Sequence, residues 1–239
     1  RYYVDATPAV AEVSGVSGVS RLLVGGLGKG GRGFYALNVS SYAAATVADA
    51  ASKVMWEFGQ GVANMGYSFG KPMIVRTAAG WRVLVTSGYD NGTSTGGNGQ
   101  GYVWVLDPAD GSILATIGTG EGSDANPSGL AHLSSMANLP PDALTQYVYG
   151  GDLLGNVWRF DLDTNTAQKI AVATDPSGVS QPITSPPEVG PVPGSSTKQF
   201  VYVGTGRYFS EQDVPGSALA TAAATQQQSL YGFIDDTTQ

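Results

Sequence analysis

The sequence predicts an all-β protein assembled from repeated antiparallel sheets, and three observations predict it. Short β-branched and aromatic runs alternate with glycine-rich turns along the whole 239 residues. One five-residue pattern returns four times. No segment carries the continuous apolar stripe that a packed helix needs.

The recurring pattern is FYALN (34–38), VWVLD (103–107), VWRFD (157–161) and LYGFI (230–234). Its second place is always aromatic: Tyr35, Trp104, Trp158 and Tyr231. Two places on stands a large apolar residue, Leu37, Leu106, Phe160 or Phe233, and three copies continue with Asn38, Asp107 or Asp161. Repetition of this kind decides architecture before local propensity does. The stretch YVYGGDLLGNVWRFDL (147–162) shows most of a unit: an aromatic and β-branched run, a glycine-rich turn holding Asp152 and Asn156, and an alternating return. It reads as a β-hairpin.

Taken in order, TPAVAEV (7–13), RLLVGGLG (21–28), FYALNV (34–39) and VMWEF (54–58) make a first four-stranded meander. The proline near the start of its first strand is tolerated there. FGKPMIV (69–75), WRVLVTSGY (81–89), GYVWVLD (101–107) and SILATIG (112–118) make a second, with the DPADG turn (107–111) closing its last hairpin. LAHLSSMANL (130–139), YVYGG, NVWRFDL and AQKIAVA (167–173) make a third. PITSPPEV (182–189), QFVYVGTGRYF (199–209) and SLYGFI (229–234) begin a fourth whose last strand is not evident. Alanine-rich segments at 40–53 and 217–228 are excursions between strands, partly helical. The period of about 60 residues is that of propeller blades with loop insertions. The whole chain is thus expected to be part of one β-propeller domain, with blades at approximately 5–60, 69–120, 129–175 and 181–239.

Composition bounds the function. Charged residues make up 13% of the chain, well below the roughly 25% of ordinary soluble proteins. A net charge of −7 with scattered Lys and Arg argues against nucleic acid. No apolar run is long enough to cross a bilayer as a helix. With no cysteine, disulfides say nothing of the compartment, while low charge and abundant small polar residues resemble bacterial surface proteins. The chain begins with Arg1 rather than an initiator methionine and shows no signal peptide, so it reads as a mature product or an excised portion.

YYVDATPAV, LLVGGLGKGGRGFYALNV, VMWEFG, MGYSFGKPMIVR, YVYGGDLLGNVWRFDL, QPITSPPEV and VYVGTGRYF occur in an order that resembles the C-terminal β-propeller of the PilY1/PilC family of type IV pilus tip-associated adhesin and biogenesis proteins. The resemblance runs through SLYGFIDD near the end of the chain. It implies a modified seven-bladed propeller with quinoprotein-dehydrogenase-like blades, of which about four lie here, so that the parent ring extends beyond this chain. It implies a non-enzymatic type IV pilus tip protein acting in pilus biogenesis, surface adhesion and twitching motility. Its expected place is the cell surface, at the pilus tip or outer membrane of a Gram-negative bacterium. Its expected partners are minor pilins or other tip components and a host or abiotic surface receptor. A quinone-dependent dehydrogenase is the alternative from the blade type, and a generic protein-binding scaffold is a third reading. Fold alone carries neither.

Candidate sites are few. The loop TSGYDNGTSTGGNGQG (86–101) interrupts paired strands, and rim loops carry recognition where blades carry packing. Tyr89, Asp90, Asn91 and Asn98 are therefore the candidate partner contacts. Family members carry a calcium loop before the YVYGGD hairpin, and the resemblance places its ligands on Asn138, Pro140, Asp142, Leu144 (through its carbonyl) and Gln146. Only Asp142 keeps a charge, and calcium sites rely on carboxylates. The expectation is a metal-free loop and no cofactor, with calcium the one ion the eroded loop could hold. Asp152 reads as a turn carboxylate, Gly155 as a left-handed turn residue, and Trp104 and Trp158 as packing between blades. GKGGRG (28–33) lacks the Gly-Lys-Ser/Thr ending of a phosphate loop, and His132, the single histidine, reads as structural.

A calcium titration checks the eroded loop. The melting temperature of the full chain should stay unchanged on adding micromolar Ca²⁺, because a ligand that binds only the folded state would raise it. A rise of several degrees would restore the metal site.

Overall fold

A computed structural model of the chain describes residues 3–41, 43–136 and 143–238. Its strands are β1 (Ala9–Val16), β2 (Val19–Gly26), β3 (Phe34–Asn38) and β4 (Val54–Phe58); β5 (Met73–Thr77), β6 (Gly80–Thr86), β7 (Tyr102–Leu106) and β8 (Ile113–Gly118); β9 (Leu133–Ser134), β10 (Tyr147–Gly151), β11 (Asn156–Asp161) and β12 (Thr166–Val172); and β13 (Glu188–Pro191), β14 (Lys198–Gly204) and β15 (Leu230–Asp236). Each group forms one antiparallel sheet whose strands pair in chain order, four strands in the first three sheets and three in the last. The fold is an all-β propeller arrangement of meanders, as the repeats predict.

Side-chain alternation explains how the sheets stack. Successive residues of a strand face opposite ways. In the second sheet Val83, Val85, Trp104 and Leu106 join the core shared with Leu22, Val24, Phe34, Trp56 and Phe58 of the first. The alternate residues Leu84, Val103 and Val105 join the core shared with Val148, Trp158 and Phe160 of the third. The third sheet then turns Tyr149 and Val157 toward Val189, Val201 and Val203 of the fourth. The middle sheets are thus buried on both faces, so β7 and β11 are buried almost end to end, β7 as a near-continuous apolar run and β11 with Asn156 and Arg159 buried among Val157, Trp158 and Phe160. Each such side chain contributes roughly 1.5–3 kcal/mol by leaving water. Trp104 and Trp158 pack between blades, and Trp56 adds a hydrogen bond from Nε1 to the Pro108 carbonyl, 3.0 Å away in the second sheet.

Several strands are shorter than their sequence runs, and three show why. Of LAHLSSMANL only Leu133 and Ser134 pair with β10. The preceding residues turn to the second sheet, where the Ala131 carbonyl accepts from Thr86 Oγ1 (2.7 Å) and the Leu130 carbonyl from the Gly88 amide (2.8 Å). Residues 137–139 lie outside the described residues. PITSPPEV becomes a strand only at Glu188, after two prolines that cannot donate to a ladder. QFVYVGTGRYF leaves its sheet at Gly204, where Gly206 takes φ +138°, carrying Tyr208 and Phe209 away from the strand. Between β3 and β4 a one-turn helix, α1 (Val47–Ala51), is capped reciprocally by Thr46 and Asp49. The second alanine-rich segment holds a 3-10 turn at Ala222–Thr225.

An ion pair fastens the last two sheets. Arg159 Nη1 of β11 donates to both carboxylate oxygens of Asp235 in β15 at 2.9 Å, and the hydroxyl of fully buried Tyr149 donates to the same carboxylate at 2.7 Å. Both charged side chains are buried. Arg159 also donates to Gln168 Oε1 and stacks its guanidinium on Tyr147. Breaking a buried pair leaves one charge uncompensated and typically costs more than replacing both partners by apolar groups. Asp235→Ala should therefore lose about 3–5 kcal/mol in urea unfolding, while Arg159→Met combined with Asp235→Leu should recover most of that loss. A double variant as unstable as the single one would show that shape rather than charge sets the cost.

Candidate functional site

Each second strand ends at the same rim of the stack, and there the chain meets the segment leading into the next sheet. Gly28, just past β2, donates its amide to the Ser68 carbonyl (3.2 Å), Gly88, past β6, donates to Leu130 (2.8 Å), and Asp152, past β10, accepts from the Ile183 amide (2.9 Å). The equivalent contact in three sheets gathers their loops at one end.

The hairpin Asp152 is the most densely bonded residue of that rim. Fully buried, its Oδ1 accepts from the amides of Leu154 (3.0 Å) and Asn156 (2.9 Å). Its Oδ2 accepts from Asn156 Nδ2 (3.0 Å), Trp158 Nε1 (2.9 Å) and Ser128 Oγ (3.2 Å). Gly155 takes φ +79° to let the turn close. Burial pushes the Asp152 carboxyl above the ordinary carboxylate range, and these donors pull it back. All of its acceptor capacity is spent inside the fold, so the residue joins hairpin, linker and tryptophan and has nothing left to offer a ligand.

The four candidate contacts of the 86–101 loop divide into two kinds. Asn91 is buried, and its amide nitrogen donates to the carbonyls of Asn64 (3.2 Å) and Gln100 (2.7 Å). Asn98 is exposed, but its side chain accepts from the Gln100 amide (2.9 Å) and donates to the Tyr102 hydroxyl (2.8 Å). Both shape the loop. Tyr89 and Asp90 point elsewhere: Asp90, at φ +58°, pairs with Arg32 Nη2 at 2.6 Å, and Tyr89 enters a chain of rings. Its ring centroid lies 5.5 Å from Phe69 and 4.7 Å from Phe209, and Phe69 lies 6.5 Å from Tyr67. Arg32 covers the Tyr67 ring at 4.7 Å. Burial pushes the Tyr89 hydroxyl well above its ordinary value, so it stays protonated.

With Lys29 and Tyr208 these rings enclose an open cleft of about 390 Å³. Sequence reading missed Tyr67, Phe69, Tyr208, Phe209 and Arg32. Phe69 and Phe209 read as ends of strands. The signals that place them outside are Pro72, which delays β5 to Met73, and the glycines at 204 and 206.

Of the calcium-type loop, Asn138, Pro140 and Asp142 lie outside the described residues. The Leu144 side chain is exposed, and the Gln146 carbonyl accepts from the Leu162 amide (2.9 Å). Among the described residues no three His, Cys, Asp or Glu side chains gather where they could hold a metal. A cavity of about 570 Å³ is lined by residues of β1, β5 and β9 together with Lys71, His132, Thr145 and Pro186, so the first strands of three sheets face a common axial space.

The PilY1 beta-propeller domain family matches residues 1–239. A Xylella fastidiosa protein named as a type IV pilus biogenesis factor PilY1 homolog is 32% identical over 98% of this chain and 16% of its own length. The type IV pilus biogenesis factor PilY1 of Pseudomonas aeruginosa strain UCBPP-PA14 is 31% identical over 100% of this chain and 22% of its own length. The crystal structure of the Pseudomonas aeruginosa PilY1 C-terminal domain superposes with a TM-score of 0.77 at 30% identity, covering 99% of this chain and 49% of that one. The chain therefore spans less than a quarter of these curated relatives and about half of the solved domain.

His132 on the axial cavity gives a pH dependence. Burial holds its imidazole below the usual value of 6.5, so the folded state prefers the neutral ring. The stability this brings is full above the unfolded pKa and is lost as pH falls through the lowered folded one. The melting temperature should fall as pH drops below the ordinary imidazole value of about 6.5, and His132→Gln should flatten that fall. Equal slopes would assign the dependence to other groups.

Proposed function

This chain belongs to the PilY1 β-propeller family, and from that membership we propose that it is the propeller portion of a type IV pilus biogenesis factor that also serves surface adhesion and twitching motility. The observation that carries the reading is the match of family and fold across the entire chain, with full-chain identity near 30% to proteins named for that role. The proposed location is the bacterial surface at the pilus tip, with minor pilins or other tip components as assembly partners and a host or abiotic surface receptor as the adhesive one. The role is non-enzymatic. A stack of blades joined by apolar faces gives a rigid body, and the loops gathered at one rim are free to specialise for contact.

The test is genetic and uses the intact parent gene. Removing the segment that encodes residues 1–239 in the source bacterium should sharply reduce surface pili seen by electron microscopy and shrink the twitching zone, with both restored by the full gene. Unchanged piliation and twitching would overturn the assignment.

A further inference from the structure

The third strand of each of the four sheets ends in the same turn. At its last residue or just past it, an Asn or Asp Oδ1 accepts the amide two places on: Asn38 from Ser40 (3.1 Å), Asp107 from Ala109 (2.8 Å), Asp161 from Asp163 (2.8 Å) and Asp236 from Thr238 (3.2 Å). A main-chain bond goes with it. The next residue donates its amide back to the second strand or to the residue just before it, Val39 to Arg21 (3.0 Å), Leu162 to Gln146 (2.9 Å) and Thr237 to Thr197 (2.9 Å), whereas Pro108 has no N–H to give. Side chains that hold their own backbone in this way reverse the chain.

In three sheets the reversed chain comes back as a fourth strand. After Asp107 it returns at Ser112, whose carbonyl accepts from the Asp107 amide (2.9 Å), and after Asp161 it returns at Thr166, which pairs with Asp161. After Asn38 the helix α1 intervenes, and β4 returns from Val54 to pair with β3. Among the described residues β15 has the turn but pairs with β14 alone. The packed face shows the same gap. Trp104 and Leu106 of β7, and Trp158 and Phe160 of β11, are buried against the preceding sheet, with β8 or β12 paired beside them. Tyr231 and Phe233 hold the same repeat places in β15, yet they are half-buried, as are Ile170 and Ala171 of β12 across the interface. A strand beside β15 would lie on β12 as β12 lies on β8.

We propose that the outer edge of β15 takes one further antiparallel strand, donated by the parent protein from the residues that follow the Asp236 turn, and that this strand closes over Ile170, Tyr231 and Phe233. The edge chooses the kind of occupant, because a row of main-chain donors and acceptors spaced for a ladder fits an extended chain. The turn chooses the source, because it already aims the chain back along β15. A strand from a second copy has no such turn to start from.

Hydrogen exchange read by mass spectrometry tests this on two chains, residues 1–239 and the same chain continued by about twenty further residues of its parent gene, enough for a short turn and one strand. Residues 230–236 should exchange about tenfold or more slowly in the longer chain, while β6, a central strand in both, should not change. In the longer chain Asp236→Ala, which removes the turn acceptor, should return several-fold of that protection, and Asp236→Asn, which keeps an acceptor as Asn38 does, should return little. The same two variants in the intact parent protein give a second reading that does not depend on how the shorter chains fold. Equal exchange of 230–236 in the two chains overturns the proposal, as does an equal effect of Asp236→Ala and Asp236→Asn in the parent. Protection of 230–236 in residues 1–239 that grows with protein concentration also overturns it and gives the edge to a second copy. No pilus enters these measurements, so their failure leaves the biogenesis role standing, and a failed piliation test leaves the strand edge standing.

Discussion

Everything in this molecule depends on the need of each sheet to cover its two faces with its neighbours. A single meander with apolar residues on both faces must bury each against another layer, and the strands here solve that by alternation. Odd and even positions of β6 and β7 serve different interfaces, so Leu84 and Val85, adjacent in sequence, belong to different cores. The repeated aromatic place follows the same rule. Trp104 meets the first sheet, Trp158 the second, and Tyr231 leans on the core shared with the third. One pattern repeated along the chain thereby fixes the direction of stacking.

Apolar stacking alone would let sheets slide, and buried polar groups set their position. Asp152 draws five donors from the hairpin, the linker and Trp158 into one carboxylate, while Asp235 receives Arg159 and Tyr149 across the last interface. Such contacts add little net stability when intact, but they are costly to misalign because an unpaired buried charge has no solvent to turn to. They act as register marks between blades. The rim bonds at Gly28, Gly88 and Asp152 add a third, main-chain tie at the same end of each of the first three sheets.

Legibility in the sequence followed this division. The strands whose side chains stack were visible because period-two alternation and a recurring aromatic place are local features, and β7 and β11 fall where the VWVLD and VWRFD copies predict them. The turn role of Asp152 and Gly155 was visible for the same reason. Where neighbouring sheets compete for the chain, local reading failed: Leu130 and Ala131 look like strand residues, yet their carbonyls are claimed by Gly88 and Thr86 of the second sheet. The cleft was legible only in part. Tyr89 and Asp90 stood out in a glycine-rich loop, but of their ring and ion-pair partners Phe209 and Arg32 come from other blades and Phe69 from the lead-in to β5, and no spacing rule joins them.

That failure has a physical meaning for where function can reside. Residues that hold blades together are repeated, because every interface poses the same problem; residues that meet a ligand need not be, because only one part of the rim meets it. Trp104 and Trp158, at the same place of their repeats, show the first kind of economy, and the rim side chains gathered around Tyr89 are not repeated. Past β2 the rim carries Lys29, past β6 it carries Tyr89, and past β14 it carries Tyr208 and Phe209. Equivalent positions of a repeating scaffold have thus been given different side chains that converge on one opening. A scaffold in which packing is settled by the strands can vary its rim at little cost to folding.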